Sequence, residues 1–213
     1  MAAYSRLNSA LYLYLLAVMV WAPLPLASNR DWSKQLLAGL LLGGVMAAGM
    51  LLVSGRLRLT PSLRAATPVL AALVAVQVWV ALQLALGISV DPPSTSLALL
   101  WGCALVAAFV LVLLLVDSRE RIQATTRTMV WCGVFQAFFA AFMMMSDIEQ
   151  LLWLDKTFGR TSASGTFVNR NHLAGFLEMN LAIGIGMLVA QLHRHPSANW
   201  REFMRRTIDT VLS

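Results

Sequence analysis

Between Gly165 and Met179 the chain reads Gly-Thr-Phe-Val-Asn-Arg-Asn-His-Leu-Ala-Gly-Phe-Leu-Glu-Met, so that polar side chains crowd against the start of a long apolar run. Asn169 or Asn171 makes a good N-cap, which starts a helix within a residue or two of His172. The free backbone amides at its positive end, with Arg170 and Arg160, form an anion site suited to a phosphate or diphosphate. Arginine serves there better than lysine because its planar fork holds two oxygens. Asparagine amides also bind sugar hydroxyls. A second reading fits the same spacing: the asparagines only cap the helix, and Arg170 only meets lipid phosphate.

Two residues nearby could move a proton. His172 faces water at the helix start, where an imidazole is a candidate general base. Glu178 falls about two turns in, roughly 10 Å along the helix axis. A lone carboxylate at that depth must be protonated, paired or hydrated. It is either a proton acceptor for a sugar hydroxyl or the structural partner of an amide. Counting from Asn171, the residues Gly175, Glu178, Ala182 and Gly186 recur at helical intervals, which predicts one narrow face turned into a helix bundle.

The elements that must position these residues are set by composition. Of 213 residues, 59% are hydrophobic and only 12% charged, with a mean hydropathy of +0.71. That is too apolar for a soluble domain and predicts an all-α, polytopic transmembrane bundle whose first partner is the lipid bilayer. The net charge of +6 does not form one basic face. Its arginines sit in short clusters between apolar runs, which argues for membrane topology and against nucleic acid. Cys103 and Cys132 lie within apolar runs and read as small core residues. No metal or soluble-cofactor constellation is visible.

Six spans are expected, near 11–26, 35–53, 68–86, 97–116, 129–145 and 172–192, followed by an amphipathic cytoplasmic tail at 193–213. In the tail Trp200, Phe203, Met204, Ile208, Val211 and Leu212 oppose Arg201, Arg205, Arg206 and Asp209, which predicts an in-plane helix at the membrane surface. Ile148, Leu151, Leu152, Trp153 and Leu154 predict a second surface-lying segment before the last span. Small residues at Gly39 and Gly43, and at Gly44 and Ala48, predict close helix packing in the second span. Gln77, Gln83 and Gln136 lie inside spans, where each amide needs a hydrogen-bond partner from another helix.

With both termini cytoplasmic, the inner segments hold eleven arginines and the outer ones five Lys or Arg residues. This bias fixes the orientation and places the polar stretch at the outer face.

The segment from Gly165 to Leu177 resembles the stretch ahead of a membrane span in the O-antigen ligase and polymerase superfamily. Its members are glycosyltransferases of the bacterial inner membrane that use polyprenyl diphosphate-linked glycans in cell-surface polysaccharide and lipopolysaccharide biosynthesis. The resemblance implies a donor glycan held by Asn169 and Asn171, the two matching positions. Arg170 stands where many relatives have proline, so its role is not implied. Members continue with further spans and a large periplasmic loop carrying key arginine and histidine residues. The chain accordingly resembles the amino-terminal half of such an enzyme, with other polysaccharide-assembly membrane proteins as partners. Ligase and polymerase stay open. So do a non-catalytic membrane scaffold or truncated fragment of such a protein and, ranked after it, a transporter or flippase.

Overall fold

Pro23 and Pro25 decide where the first helix stops. In the computed structural model, which describes residues 2–146, 150–151, 154–155, 163–194, 201, 204–205 and 208–209, helix α1 covers Ala2–Trp21. The expected span at 11–26 thus begins earlier and ends earlier. Proline lacks the amide that would continue the ladder, and the chain turns instead into a short 3-10 segment, Leu26–Ser28. The turn is unusual in holding three non-glycine residues at positive φ, Leu26, Ala27 and Ser28. Ser28 Oγ fastens it by donating to the carbonyl of Ala22 at 2.7 Å.

The remaining helices are α2 (Asp31–Val53), α3 (Pro61–Ala65), α4 (Thr67–Ala85), α5 (Pro92–Leu115), α6 (Arg119–Met145) and α7 (Arg170–Arg194). Between α6 and α7, β1 (Gln150–Leu151) pairs antiparallel with β2 (Leu154–Asp155) in a minimal ladder. The fold is a helical membrane bundle: α2, α4, α5, α6 and α7 are each long and apolar enough to cross a bilayer. In α1 the apolar stretch is the shorter Arg6–Trp21. At 1.5 Å per residue it reaches about 24 Å, short of a ~30 Å hydrocarbon core. Most of the tail at 195–213 lies outside the described residues. Of the expected in-plane helix, Arg201, Met204, Arg205, Ile208 and Asp209 are helical and exposed.

Contacts divide the chain into residues 1–122 and residues 123–213, each a compact unit described here by itself. In the first unit α5 is the hub, packed on α2 and α4, while α1 packs on α2. The core is built from Leu11, Leu15, Val18, Ala38, Ala48, Ala104, Leu111 and Leu115. Of the two small-residue pairs in α2, the second makes the seam. A Cβ on Gly44 would come within 3.0 Å of both Leu111 and Tyr14, whereas Gly39 and Gly43 face open space. Gln77 lies directly against Gly102, its amide filling the room a side chain would need there. Helix α4 buries none of its residues, as suits a helix facing lipid.

Helix α6 corrects one expectation. Residues 117–128 read as a polar loop, yet the helix begins at Arg119. Hydropathy misses these turns because hydrogen bonds, not apolar burial, hold them. The Arg121 amide donates to Ser118 Oγ at 3.3 Å, an N-cap bond. The Arg121 guanidinium donates through Nη1 to the Leu115 carbonyl at 2.7 Å and to Asn8 Oδ1 at 3.1 Å. It also sits 4.7 Å from the ring centre of Tyr12, whose hydroxyl donates back to the Arg121 carbonyl at 3.0 Å. A hydrogen-bonded cation over an aromatic face ties α1 to the start of α6.

Candidate functional site

The second unit is organised by one buried amide. Gln136 of α6 is fully buried, and the partner it requires is Thr166. Gln136 Nε2 donates to Thr166 Oγ1 at 2.8 Å, while Gln136 Oε1 accepts from the Thr166 amide at 3.2 Å. Thr166 Oγ1 also lies 3.0 Å from Gln136 Oε1. The sequence asked for an interhelical bond; the partner is instead the segment leading into α7. Gly165 makes this approach possible. It holds φ +55°, and a Cβ there would meet Gln136 Oε1 at 2.8 Å and the Gln136 carbonyl at 3.3 Å. Phe167 is buried and tilts against Phe176 with ring centres 5.3 Å apart.

Downstream of this anchor α7 starts where the sequence places it. Asn169 is the cap: its Oδ1 accepts the Asn171 amide at 2.8 Å. Its carbonyl accepts from the amides of His172 and Leu173 at 3.1 and 3.2 Å. Asn169 therefore performs the capping role that the sequence left between two asparagines. Asn169, Arg170, Asn171 and His172 are all exposed, in an unbroken row at the positive end of the helix dipole. The row can offer an incoming anion or hydroxyl one guanidinium, the side-chain amide of Asn171 and one imidazole. Arg160, the other cation expected here, lies outside the described residues.

Further along α7 the rotation differs from expectation. The face of Gly175, Glu178, Ala182 and Gly186 does not turn inward: no other side chain comes within 4 Å of a Cβ on Gly175 or Gly186, and Glu178 and Ala182 are exposed. Leu173 and Asn180 are the buried positions instead. Their rotation is set by a close contact at Gly133 of α6, where an added Cβ would lie 2.7 Å from the Asn180 Cβ. One turn on, Val130 lies 3.8 Å from the Cβ position of Gly184, so the two helices cross antiparallel over small residues.

Beside this crossing runs a cleft of about 530 Å³ whose lining includes Arg127, Trp131, Val134, Glu178, Asn180 and Leu181. Two of its lining residues own the buried side-chain atoms that have no hydrogen-bond partner among the described residues, Arg127 Nε and Asn180 Oδ1, each with almost no accessible surface. In the sequence Arg127 is one of a short arginine cluster and Asn180 carries no motif. The available signal was a further amide inside the sixth apolar run. Glu178 reaches the cleft rim, well away from His172 along α7, so the two candidate bases do not form one constellation.

Among the described residues no group of three or more His, Cys, Asp or Glu side chains is placed to hold a metal ion. Compared with protein-family profiles, with curated proteins and with solved structures, the chain matches none.

Proposed function

We propose that this chain is the membrane-embedded part of a bacterial inner-membrane glycan ligase or polymerase that handles polyprenyl diphosphate-linked glycans. The observation carrying the reading is the α7 start. A segment pinned from below by the buried Gln136–Thr166 pair presents Asn169, Arg170, Asn171 and His172 side by side at the head of an apolar helix. An arginine fork at the positive end of the helix suits a diphosphate at headgroup depth, and the Asn171 side chain suits a sugar hydroxyl. Asn169 keeps the row in register as the cap. His172 would face the acceptor as a base. Both termini are cytoplasmic in this reading, which follows the arginine bias of the sequence.

The test is the double variant Asn169→Ala with Asn171→Ala, made in the full-length context in the native cell. The expected outcome is loss of glycan transfer to the cell surface, read as the disappearance of long-chain polysaccharide on gels, while the protein inserts at its normal level. Undiminished transfer by a well-expressed double variant overturns the proposal.

A further inference from the structure

The first unit does not share its charge evenly between its two ends. The amino end of α1, the link from α2 through α3, the carboxy end of α5 and the start of α6 meet at one end. Bonds from Thr60 to the Leu113 carbonyl, and from Arg121 to Asn8 and the Leu115 carbonyl, hold them together. That end carries Arg6, Arg56, Arg58, Arg64, Arg119 and Arg121 against Asp117 and Glu120. The other end, where Lys34 lies over the Trp101 ring, sets Arg30 and Lys34 against Asp31 and Asp91. Both acids of the basic end are engaged at the start of α6: Asp117 is 3.5 Å from Arg121, and Glu120 is bonded to Ser118. Among the described residues Arg56, Arg58 and Arg64 have no ion-pair or hydrogen-bond partner for their guanidinium groups.

The link that carries these three is fastened at both ends. Gly55, at φ +68°, turns the chain out of α2, and the amides of Arg56 and Leu57 both donate to the Leu51 carbonyl, at 2.8 and 2.9 Å. Leu57 is buried. Thr60 Oγ1 donates to the Leu113 carbonyl at 2.7 Å and accepts the Leu63 amide at 3.2 Å, which caps α3. Arg56, Arg58, Leu59 and Arg64 stay exposed on this frame. Chain length sets their depth. Only residues 54–66 separate α2 from α4, two helices able to cross a bilayer, and α3 takes up five of them. So short a link stays near the headgroup layer, about 5–8 Å thick on each side of the hydrocarbon. Leu59, 51% exposed beside Arg58, fits the boundary with the acyl chains better than it fits water.

We propose that this link is a binding site for the headgroup of an anionic phospholipid, its phosphate held by Arg56, Arg58 and Arg64. The guanidinium fork matches phosphodiester oxygens, and three like charges on one short segment are relieved by taking up an anion. A zwitterionic lipid brings the same phosphate together with a cation, so the site discriminates by the net charge of the headgroup. An acidic protein surface would satisfy the arginines but leave Leu59 without an apolar neighbour. The proposal holds for either orientation of the chain in the membrane and is independent of any glycan at the α7 start.

Native mass spectrometry of the full chain tests this, with phosphatidylglycerol and phosphatidylcholine of identical acyl chains added in equal amounts to the detergent-solubilised protein. Wild type should retain phosphatidylglycerol roughly tenfold over phosphatidylcholine, as two arginines at one headgroup provide. The triple variant Arg56→Gln, Arg58→Gln and Arg64→Gln should bring that ratio to within about twofold of one. Arg30→Gln with Lys34→Gln, which removes positive charge from the opposite end, should leave the ratio at its wild-type value.

A wild-type ratio near one overturns the proposal and leaves the arginines to an acidic protein surface. A preference that survives the triple variant overturns it as well. So does one lost as fully in the Arg30 and Lys34 variant, since the cause would then be overall charge and not this link. Displacement of the bound lipid by excess glycerol phosphate would assign the arginines to a free phosphate and overturn the lipid. Should the triple variant fail to fold, the wild type alone decides: its ratio should fall towards one as ammonium acetate is raised, and a ratio indifferent to salt refutes the site. The link lies in the first unit, and Asn169 and Asn171 lie in the second, so this test and the glycan-transfer test fail separately.

Discussion

Two buried amides in the second unit face opposite situations. Gln136 is fully buried and uses both ends of its amide on Thr166. Asn180 is almost as deep, yet only its Nδ2 is satisfied, by a carbonyl of its own helix. The same contrast divides two arginines of α6. Arg121 has a carbonyl, an asparagine and an aromatic face around it, whereas the Nε of Arg127 has no acceptor. A completed buried network specifies structure, whereas an atom without a partner makes no bond that its removal would cost. Variants at the completed sites should therefore damage the fold, and variants at the incomplete ones should leave its stability near wild type.

The largest expected loss is at Gly165. Alanine there must adopt φ +55° and place its Cβ 2.8 Å from Gln136 Oε1. Strain and overlap together should cost about 3 kcal/mol, read as a marked fall in the thermal unfolding midpoint in detergent. A midpoint within a degree or two of wild type would mean that the clamp tolerates slack, and the contrast with Asn180 would lose its rigid member. The amides themselves come next. Gln136→Leu removes the buried hydrogen bonds between Gln136 and Thr166 and should cost about 2–3 kcal/mol, while Asn180→Leu removes an unsatisfied oxygen and should fall within ~1 kcal/mol of wild type. Equal losses in the two variants would break the comparison.

The arginines sharpen it at smaller scale. Arg121→Gln should destabilise by about 1–2 kcal/mol, since it removes charge-assisted bonds at a half-buried site. Arg127→Gln should leave the unfolding midpoint near wild type, because no protein acceptor is lost. Side-by-side melts of the two variants in one detergent test the pair. If Arg127→Gln proved the more damaging, Arg127 would be a structural residue and the contrast between the two arginines would fail.

How much of this was legible in the sequence depended on what holds each element. Hydropathy located the runs that form α2, α4, α5 and α7, because length and apolar composition are what mark a helix able to cross a bilayer. It misplaced the start of α6, where Ser118 and Arg121 hold the helix through hydrogen bonds that no hydropathy window registers. It carried α1 past Trp21 because two prolines look apolar while ending a helix. Asn169 was readable as a cap from local chemistry alone. Gln136 was readable as an amide in need of a partner, but only the fold could name Thr166. The rotation of α7 was not readable: with apolar residues on all sides of the helix, periodicity does not choose a face, and the fit of Asn180 over Gly133 does. The cleft follows from that rotation and shared its invisibility.

The smallest effect is expected where a polar group is complete and also in water. Asp91 caps α5 with both carboxylate oxygens engaged, Oδ2 by the Ser94 hydroxyl at 2.6 Å and Oδ1 by the Ser94 amide at 3.2 Å. The hydroxyl bond first, and the amide bond after it, hold its pKa below the ordinary value of 3.8. A carboxyl whose folded pKa is depressed adds stability that is fully present above its unfolded pKa and fades as pH falls through the folded value. At neutral pH, Asp91→Asn should therefore unfold slightly earlier than wild type. Below about pH 4 the two curves should converge as Asp91 takes up its proton. Because the cap is exposed, the gap should be the narrowest of those predicted here. A gap that widened on acidification would show that Asp91 acts through something other than its bonds to Ser94. A completed network in water would then not be the weakest member of the series.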